Sequence, residues 1–243
     1  MPTCIIVGAS RGIGLEFVRQ LLARGDRVIA TARGVAQASQ LWSLAGKATY
    51  GACTILPCDV TVEESIDSFV REVKNLPDLT RIDYVVLNAG VLKYPNRATE
   101  ISFDDFAYHL HTNTIGPIIT AQRLLQTSIP IGTIMFMSSD SGSTAQFREF
   151  EDGFAAYAAS KAALNQMLRH MASELRRKQN STIILAMHPG EVSTDMANVS
   201  LDWDVEGIIT PAESVAGMLR VIPTKRTAHS GTFWTWEGKE YPW

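Results

Sequence analysis

A short apolar run, Cys4 to Val7, ends in Gly8-Ala-Ser-Arg-Gly12-Ile-Gly14 and passes at once into an amphipathic stretch carrying Leu15, Val18, Leu21 and Leu22. A strand that turns directly into a helix through glycines restricts the chain to few folds. Gly8 lets the backbone turn tightly, Gly12 lets a diphosphate approach the main chain, and Gly14 lets the helix pack on the strand. The helix amino terminus, flanked by Ser10, Arg11 and Ile13, then offers free N–H groups and the positive end of its dipole to phosphate. The spacing is GxxxGxG rather than GxGxxG, so taken alone the turn reads equally as a phosphate cradle or a flexible loop.

The rest of the 243 residues continues the alternation. Arg27 to Ala32, Thr54 to Leu56, Tyr84 to Leu87, Thr133 to Met137, Thr182 to Met187 and Thr232 to Trp236 read as strands. Helical stretches lie near Val62 to Val73, Phe103 to Leu125, Tyr157 to Arg177 and Ala212 to Val221. Such alternation implies right-handed crossovers and an α/β fold, a doubly wound parallel sheet with helices on both faces. Gly and Pro are dispersed, and no polar linker or internal repeat interrupts the chain, so residues 1–243 read as one domain. Ligands of such sheets bind at the carboxyl ends of the strands.

With 46% hydrophobic and 19% charged residues, the chain can bury a substantial core. A net charge of −3 gives no reason to expect nucleic acid or an anionic membrane as a partner. The first apolar run lacks a preceding basic segment and no stretch approaches a membrane span, so a cytoplasmic protein is expected. Cys4, Cys53 and Cys58 are odd in number and without paired metal spacing, which suits reduced thiols. His109-x-His111 lies in a helical stretch, where residues two apart point away from each other, and no metal site is expected there.

Tyr157 and Lys161 are four apart on a helix and share one face. A phenol of ordinary pKa about 10 serves as an acid/base near neutrality when a fixed cation stabilises its phenolate, and Lys161 is placed to be that cation. Further along, Leu164, Met167, Leu168, Met171 and Leu175 form a stripe at helical spacing that reads as core or as a subunit interface.

The glycine pattern, Asn88-Ala89-Gly90, Asn113, Ser138-Ser139, Tyr157-x-x-x-Lys161 and Pro189-Gly190 occur in this order. Together they resemble the short-chain dehydrogenase/reductase family, over most of the chain. The segment His188 to Asp195 and the ending Glu237 to Trp243 are similar to its C-factor/sniffer-type carbonyl reductase branch. The resemblance implies a Rossmann-type sheet and a catalytic set of Asn113, Ser139, Tyr157 and Lys161. Ser138, Ser141 and Ser143 compete with Ser139 on position alone; the family places its catalytic serine second in the pair. An Asn in a helix interior invites a reason. The family's Asn holds a water that links the lysine to solvent, and the alternative is a solvent-facing Asn113. Asp59 and Val60 resemble the adenine contact, and Asn88, Ala89 and Gly90 the segment beside the adenosine ribose. Pro189, Gly190, Val192 and Thr194 resemble the nicotinamide clamp.

The second strand ends in Ala30-Thr-Ala-Arg33, with no carboxylate to bind an adenosine 2′-OH. Arg33 can grip a 2′-phosphate there and Arg11 can add charge, which favours NADP(H). The implied reaction is NADPH-dependent reduction of a ketone or aldehyde, or its reverse. A nucleotide sensor on the same fold, or a related isomerase or dehydratase, stands as the alternative. The interval from Ser139 to Tyr157 is longer than in many members, which implies a loop insertion near 140–156 whose Phe147, Phe150 and Phe154 are candidates to line a substrate pocket. The segment 191–210, with Trp203 between Asp202 and Asp204, is the second candidate. A homodimer or homotetramer is expected from the resemblance.

Overall fold

The first apolar run forms β1 (Thr3–Val7), and α1 (Gly12–Ala23) begins inside the glycine turn. The chain then forms β2 (Arg27–Ala32), α2 (Ser39–Lys47), β3 (Cys53–Pro57), α3 (Glu63–Lys74) and β4 (Ile82–Leu87). Next come α4 (Phe103–Leu110), α5 (Gly116–Leu125), β5 (Ile131–Met137), α6 (Ala155–Arg177) and β6 (Ile183–His188). The last elements are α7 (Pro211–Val221), β7 (Thr232–Thr235) and β8 (Glu240–Tyr241). The computed structural model describes residues 1–49, 51–201 and 203–243, so Asp202 lies outside the described residues.

All strands join one sheet in the order β3-β2-β1-β4-β5-β6-β7-β8. The chain builds outward from β1 to β3, returns to β4 beside β1, and builds outward the other way. The reversal puts a crevice above the carboxyl ends of β1 and β4, because the crossovers leave those two strands in opposite directions. Strands β1 to β7 pair in parallel, as expected; β8 runs antiparallel to β7.

Side-chain alternation divides the core between the two faces of the sheet. Ile5 and Val7 of β1 point to one layer, with Phe69 of α3, Leu124 of α5 and Leu164 and Leu168 of α6. Cys4 and Ile6 point to the other, with Phe17 and Leu21 of α1, Leu41 of α2 and Met218 of α7. The stripe on α6 supplies the first layer through Leu164, Leu168 and Leu175, but Met167 is 45% exposed and takes no part in the core. Burial pushes the Cys4 and Cys58 thiols up to about 12 and Cys53 to about 11, so none is a thiolate at neutral pH. Among the described residues no helix is long and apolar enough to cross a membrane.

The stretch expected as one helix from Phe103 to Leu125 is α4 and α5 joined by a π-helical turn, His111–Ile115. Close packing requires glycine where α5 begins, since a Cβ on Gly116 would lie 2.4 Å from the Val60 carbonyl oxygen. His109 is buried, with Nδ1 2.7 Å from the Asp105 carbonyl and Nε2 accepting from the Lys93 amide, while His111 is exposed. The two imidazoles diverge as their spacing requires.

Gly14 shows how closely α1 is seated, because a Cβ on it would lie 2.1 Å from the Gly8 carbonyl oxygen and 2.6 Å from Asn88 Nδ2. Gly14→Ala is expected to destabilise the protein by about 1–3 kcal/mol, the usual cost of overpacking. Gly46, in α2 with nothing within 4 Å of its Cβ direction, is the control. Gly46→Ala should stabilise by up to about 1 kcal/mol, and thermal melts of both variants check the opposite signs.

Candidate active site

The crevice between β1 and β4 is lined by the glycine turn. Gly8 has φ +83°, and a Cβ on it would lie 2.8 Å from the backbone of Ala89. Its amide donates to Thr31 Oγ1 at 3.1 Å, and Asn88 Nδ2 donates to its carbonyl at 2.8 Å. The Asn88 and Ala89 amides both donate to the Val7 carbonyl, which ties the start of the Asn88-Ala89-Gly90 segment to the end of β1. Arg11 stands at the N-cap of α1 but supplies no side-chain cap, so the first helical amides are left for another acceptor. Ser10 is exposed beside them, and Ile13 packs down on the core. This is the cradle a diphosphate requires.

Residues expected to hold the rest of a dinucleotide line the same edge. Arg33 follows β2, exposed and with no ion-pair partner among the described residues. Asp59 spends Oδ1 on the amide and hydroxyl of Thr61, at 2.9 and 2.7 Å, and Val60 is buried behind it. A Cβ on Gly90 would meet Asn113 Oδ1 at 3.4 Å and Lys161 Nζ at 3.8 Å. Across the crevice, Pro189 accepts from Ser214 Oγ through its carbonyl at 2.6 Å, Gly190 sits against Trp236, and Val192 bridges to Ile209. Thr194 reaches back over the glycine turn, with Cγ2 3.6 Å from where a Gly12 Cβ would stand. Arg11 lies 3.6 Å from Asp195 in an exposed pair, so its charge is shared across the cleft mouth.

The four residues of the expected catalytic set converge at the carboxyl ends of β4 and β5. Ser139 follows β5 with its hydroxyl near enough to the Tyr157 phenol to favour the phenolate, while it donates to Asp140 Oδ1 at 3.1 Å. Two of its rivals are engaged elsewhere, Ser138 donating to Asn165 at 2.6 Å and Ser143 accepting from the Gln146 amide, while the third, Ser141, has its Oγ 3.3 Å from Ser139 Oγ. Lys161 is 4% exposed, its Nζ donating to the Met137 carbonyl at 2.8 Å and standing 5.6 Å from the Tyr157 ring centre. Burial pulls this ammonium down to about 8. Asn113 is wholly buried in the π-helical turn and does not face solvent. It accepts from the Val91 amide at 2.8 Å and donates to the Val91 carbonyl and to Ser160 Oγ. Ser160 in turn donates to the Tyr157 carbonyl, so Asn113 holds the helix turn that carries the phenol.

The direction of the Tyr157 shift differs from the sequence expectation. Burial pushes the phenol above its ordinary range; the nearby Ser139 hydroxyl opposes this, and the carboxylates of Asp140, Glu191 and Glu151 add to it. A buried group favours its neutral form, and nearby negative charge reinforces that preference. Those carboxylates are spread over three segments and were not visible as neighbours in the sequence.

The insertion between Ser139 and Tyr157 splits its phenylalanines. Phe154 packs between Tyr94 (5.2 Å between ring centres), Tyr157 (6.4 Å) and Trp203 (6.0 Å), and Phe150 meets Trp203 at 6.3 Å. Phe147 is 83% exposed and takes no part. Trp203 and Tyr94 thus join an aromatic wall beside the phenol that sequence reading did not assemble. It also missed Asn96, which is 2% exposed and accepts from the amides of Ala156 and Tyr157 at 2.7 and 3.2 Å. This side chain caps α6 from a distance, in place of a local cap. Asp140, His188 and Glu191 bring their ligand atoms within 4.8 Å of one another, a grouping of the kind that holds a cation. The Arg148 guanidinium already contacts two of them, so the positive charge there is a side chain.

A model of the short chain dehydrogenase family matches residues 2–204. An uncharacterised oxidoreductase of Saccharomyces cerevisiae is 32% identical over 252 residues, covering 98% of this chain and 96% of that protein. The crystal structure of an NADPH-bound carbonyl reductase from chicken fatty liver is 30% identical, with a TM-score of 0.89 over 100% of this chain and 99% of that one. The carbonyl reductase Sniffer of D. melanogaster is 26% identical and superimposes with a TM-score of 0.86 over all of both chains. With the glycine turn at the sheet reversal and Ser139, Tyr157 and Lys161 gathered beside it, the chain belongs to the short-chain dehydrogenase/reductase family and is an oxidoreductase of carbonyl reductase-like architecture.

Proposed function

We propose that the protein reduces a ketone or aldehyde to an alcohol with NADPH, using Tyr157 as the general acid. The observation that carries this reading is the gathering of Ser139, Tyr157 and the buried Lys161 ammonium at the carboxyl edge where the sheet reverses, with Lys161 Nζ 5.6 Å from the Tyr157 ring centre. The NADPH-bound carbonyl reductase similar to this chain supports the choice of cofactor. When bound, NADPH supplies the hydride that the carbonyl carbon receives.

The chain's own residues do the rest. The glycine turn and the α1 amides hold the diphosphate, and Arg33 takes the 2′-phosphate. The Ser139 hydroxyl hydrogen-bonds the substrate oxygen and Tyr157 Oη delivers its proton. A phenol held above its ordinary range stays protonated at neutral pH, which is the form reduction requires. Lys161 stays largely charged below about pH 8 and stabilises the phenolate left after transfer. Asn113 fixes the turn carrying Tyr157, and a water beside it links Lys161 to solvent. A nucleotide sensor has no use for a buried ammonium beside an acid; an isomerase would consume no NADPH.

The test is NADPH consumption across a panel of aldehydes and ketones, with the alcohol identified. Tyr157→Phe removes one hydroxyl from a packed ring, so the fold and NADPH affinity should persist while turnover falls at least about a hundredfold. Near-normal turnover would remove Tyr157 from the mechanism.

Arg33→Ala should weaken NADPH binding about ten- to a hundredfold and leave NADH binding nearly unchanged, because NADPH alone carries the phosphate. Titration of both cofactors checks this, and equal losses would assign Arg33 a structural role. The apolar part of the substrate rests against Phe154 and Trp203 in this reading. Phe154→Ala should therefore raise KM for bulky aromatic carbonyls, whereas Phe147→Ala, at an 83% exposed ring, should not. Parallel KM changes in the two variants would contradict it.

A further inference from the structure

The insertion carries a cation that touches carboxylates in both candidate substrate segments. Arg148 contacts Asp140 just after the catalytic Ser139, Glu151 in its own loop at 2.9 Å, and Glu191 after β6 at 3.5 Å. Its guanidinium also lies 5.0 Å from the centre of the Phe150 ring, which packs on Trp203. The Glu191 carbonyl accepts from the Ile209 amide, so the cation joins both substrate segments, 140–156 and 191–210.

Asp140 is the sensitive member of this group. It is 8% exposed, and its Oδ1 accepts from the Ser141 amide at 2.9 Å and lies 3.1 Å from Ser139 Oγ, which donates to it. Its amide donates to His188 Nδ1 at 3.2 Å, and burial lowers the His188 pKa, so the imidazole is a neutral acceptor and offers no charge. Arg148 is thus the cation in contact with three carboxylates, one of which competes with Tyr157 and the substrate for the Ser139 hydroxyl. A buried carboxylate without its cation is costly and projects its field into a low-dielectric site.

We propose that Arg148 is a positioning residue of this enzyme, clamping the two substrate segments together and offsetting the Asp140, Glu151 and Glu191 carboxylates that bear on Ser139 and Tyr157. The groups that bear on the phenol are Lys161 on its own helix, Ser139 and Asp140 after β5, Glu151 in the insertion and Glu191 after β6; Arg148 and His188 stand against Asp140. Tyr241 of β8 packs on His188 from behind. The inference rests on Tyr157 as the acid of carbonyl reduction.

The sign follows from charge. Reduction needs Tyr157 protonated and Lys161 charged, so activity falls on the basic side of the pH profile. Removing a positive charge makes both groups hold their protons more tightly and moves that limb to higher pH; removing a carboxylate moves it lower.

The experiment is the pH dependence of kcat/KM for carbonyl reduction by the whole enzyme, with melting temperatures measured alongside. Arg148→Gln should shift the basic limb up by as much as about one pH unit, the scale on which loss of a nearby unit charge moves a pKa, and should lower kcat. Arg148→Lys should restore the limb but not the full kcat, because an ammonium cannot bridge three carboxylates as a planar fork does. Glu191→Gln, at a side chain 40% exposed, should shift the limb down. Limbs that stay in place in Arg148→Gln and Glu191→Gln overturn the proposal even if KM rises, since a mere loop anchor predicts that pattern. If Arg148→Gln does not fold, Glu191→Gln decides by the same criterion. An unsubstituted enzyme that reduces no carbonyl would fail the Tyr157 reading instead.

Discussion

The Asn88 side chain donating to the Gly8 carbonyl at 2.8 Å spans the one place where the sheet changes direction, and the rest of the site is built around that contact. No crossover passes over the carboxyl ends of β1 and β4, so a crevice is left there by topology. Closing it to dinucleotide width requires α1 to sit on the strand, which the absent Cβ atoms of Gly8 and Gly14 permit. The same contact fixes the segment that continues to Gly90, which lies against Asn113 and Lys161. The proposed cofactor cradle and catalytic set thus meet at one close approach.

Charge shapes the site as much as shape does. Lys161 is held nearly out of water with the Met137 carbonyl as partner, and Tyr157 is pressed toward its neutral form by burial and by carboxylates on neighbouring segments. A protonated phenol beside a cation is poised to give a proton, which agrees with reduction as the forward reaction. Those carboxylates in turn contact a guanidinium on the insertion, a segment built from loop and not from sheet.

Much of this was legible in the sequence because the determinants are local. The Gly8 to Gly14 turn, the strand-helix alternation and the Tyr157 and Lys161 spacing each carry their meaning within a few residues. What was not legible depends on distant partners. Asn96 caps α6 across 60 residues, and Trp203 reaches Phe154 from a segment with no periodicity. Helix α2 buries little beyond Leu41, and β8 is two residues long, so neither leaves a pattern strong enough to read. The expected long helix before β5 carries a π-helical turn at Asn113, where the side chain turns inward to bind the Val91 backbone. The effect of Lys161 on the phenol was read from a pair of residues, whereas the observed direction comes from burial and three carboxylates that only the fold brings together.

Hydride moves from NADPH to a carbonyl carbon in this crevice in the proposed reaction. The direct measurement is reduction of an aromatic aldehyde with NADPH carrying deuterium at both positions of the transferring carbon of its nicotinamide ring, followed by mass and NMR analysis of the alcohol. The predicted result is one deuterium on the carbinol carbon per NADPH consumed, with the hydroxyl proton drawn from solvent. Alcohol without deuterium, or NADPH consumed with no alcohol formed, would contradict it.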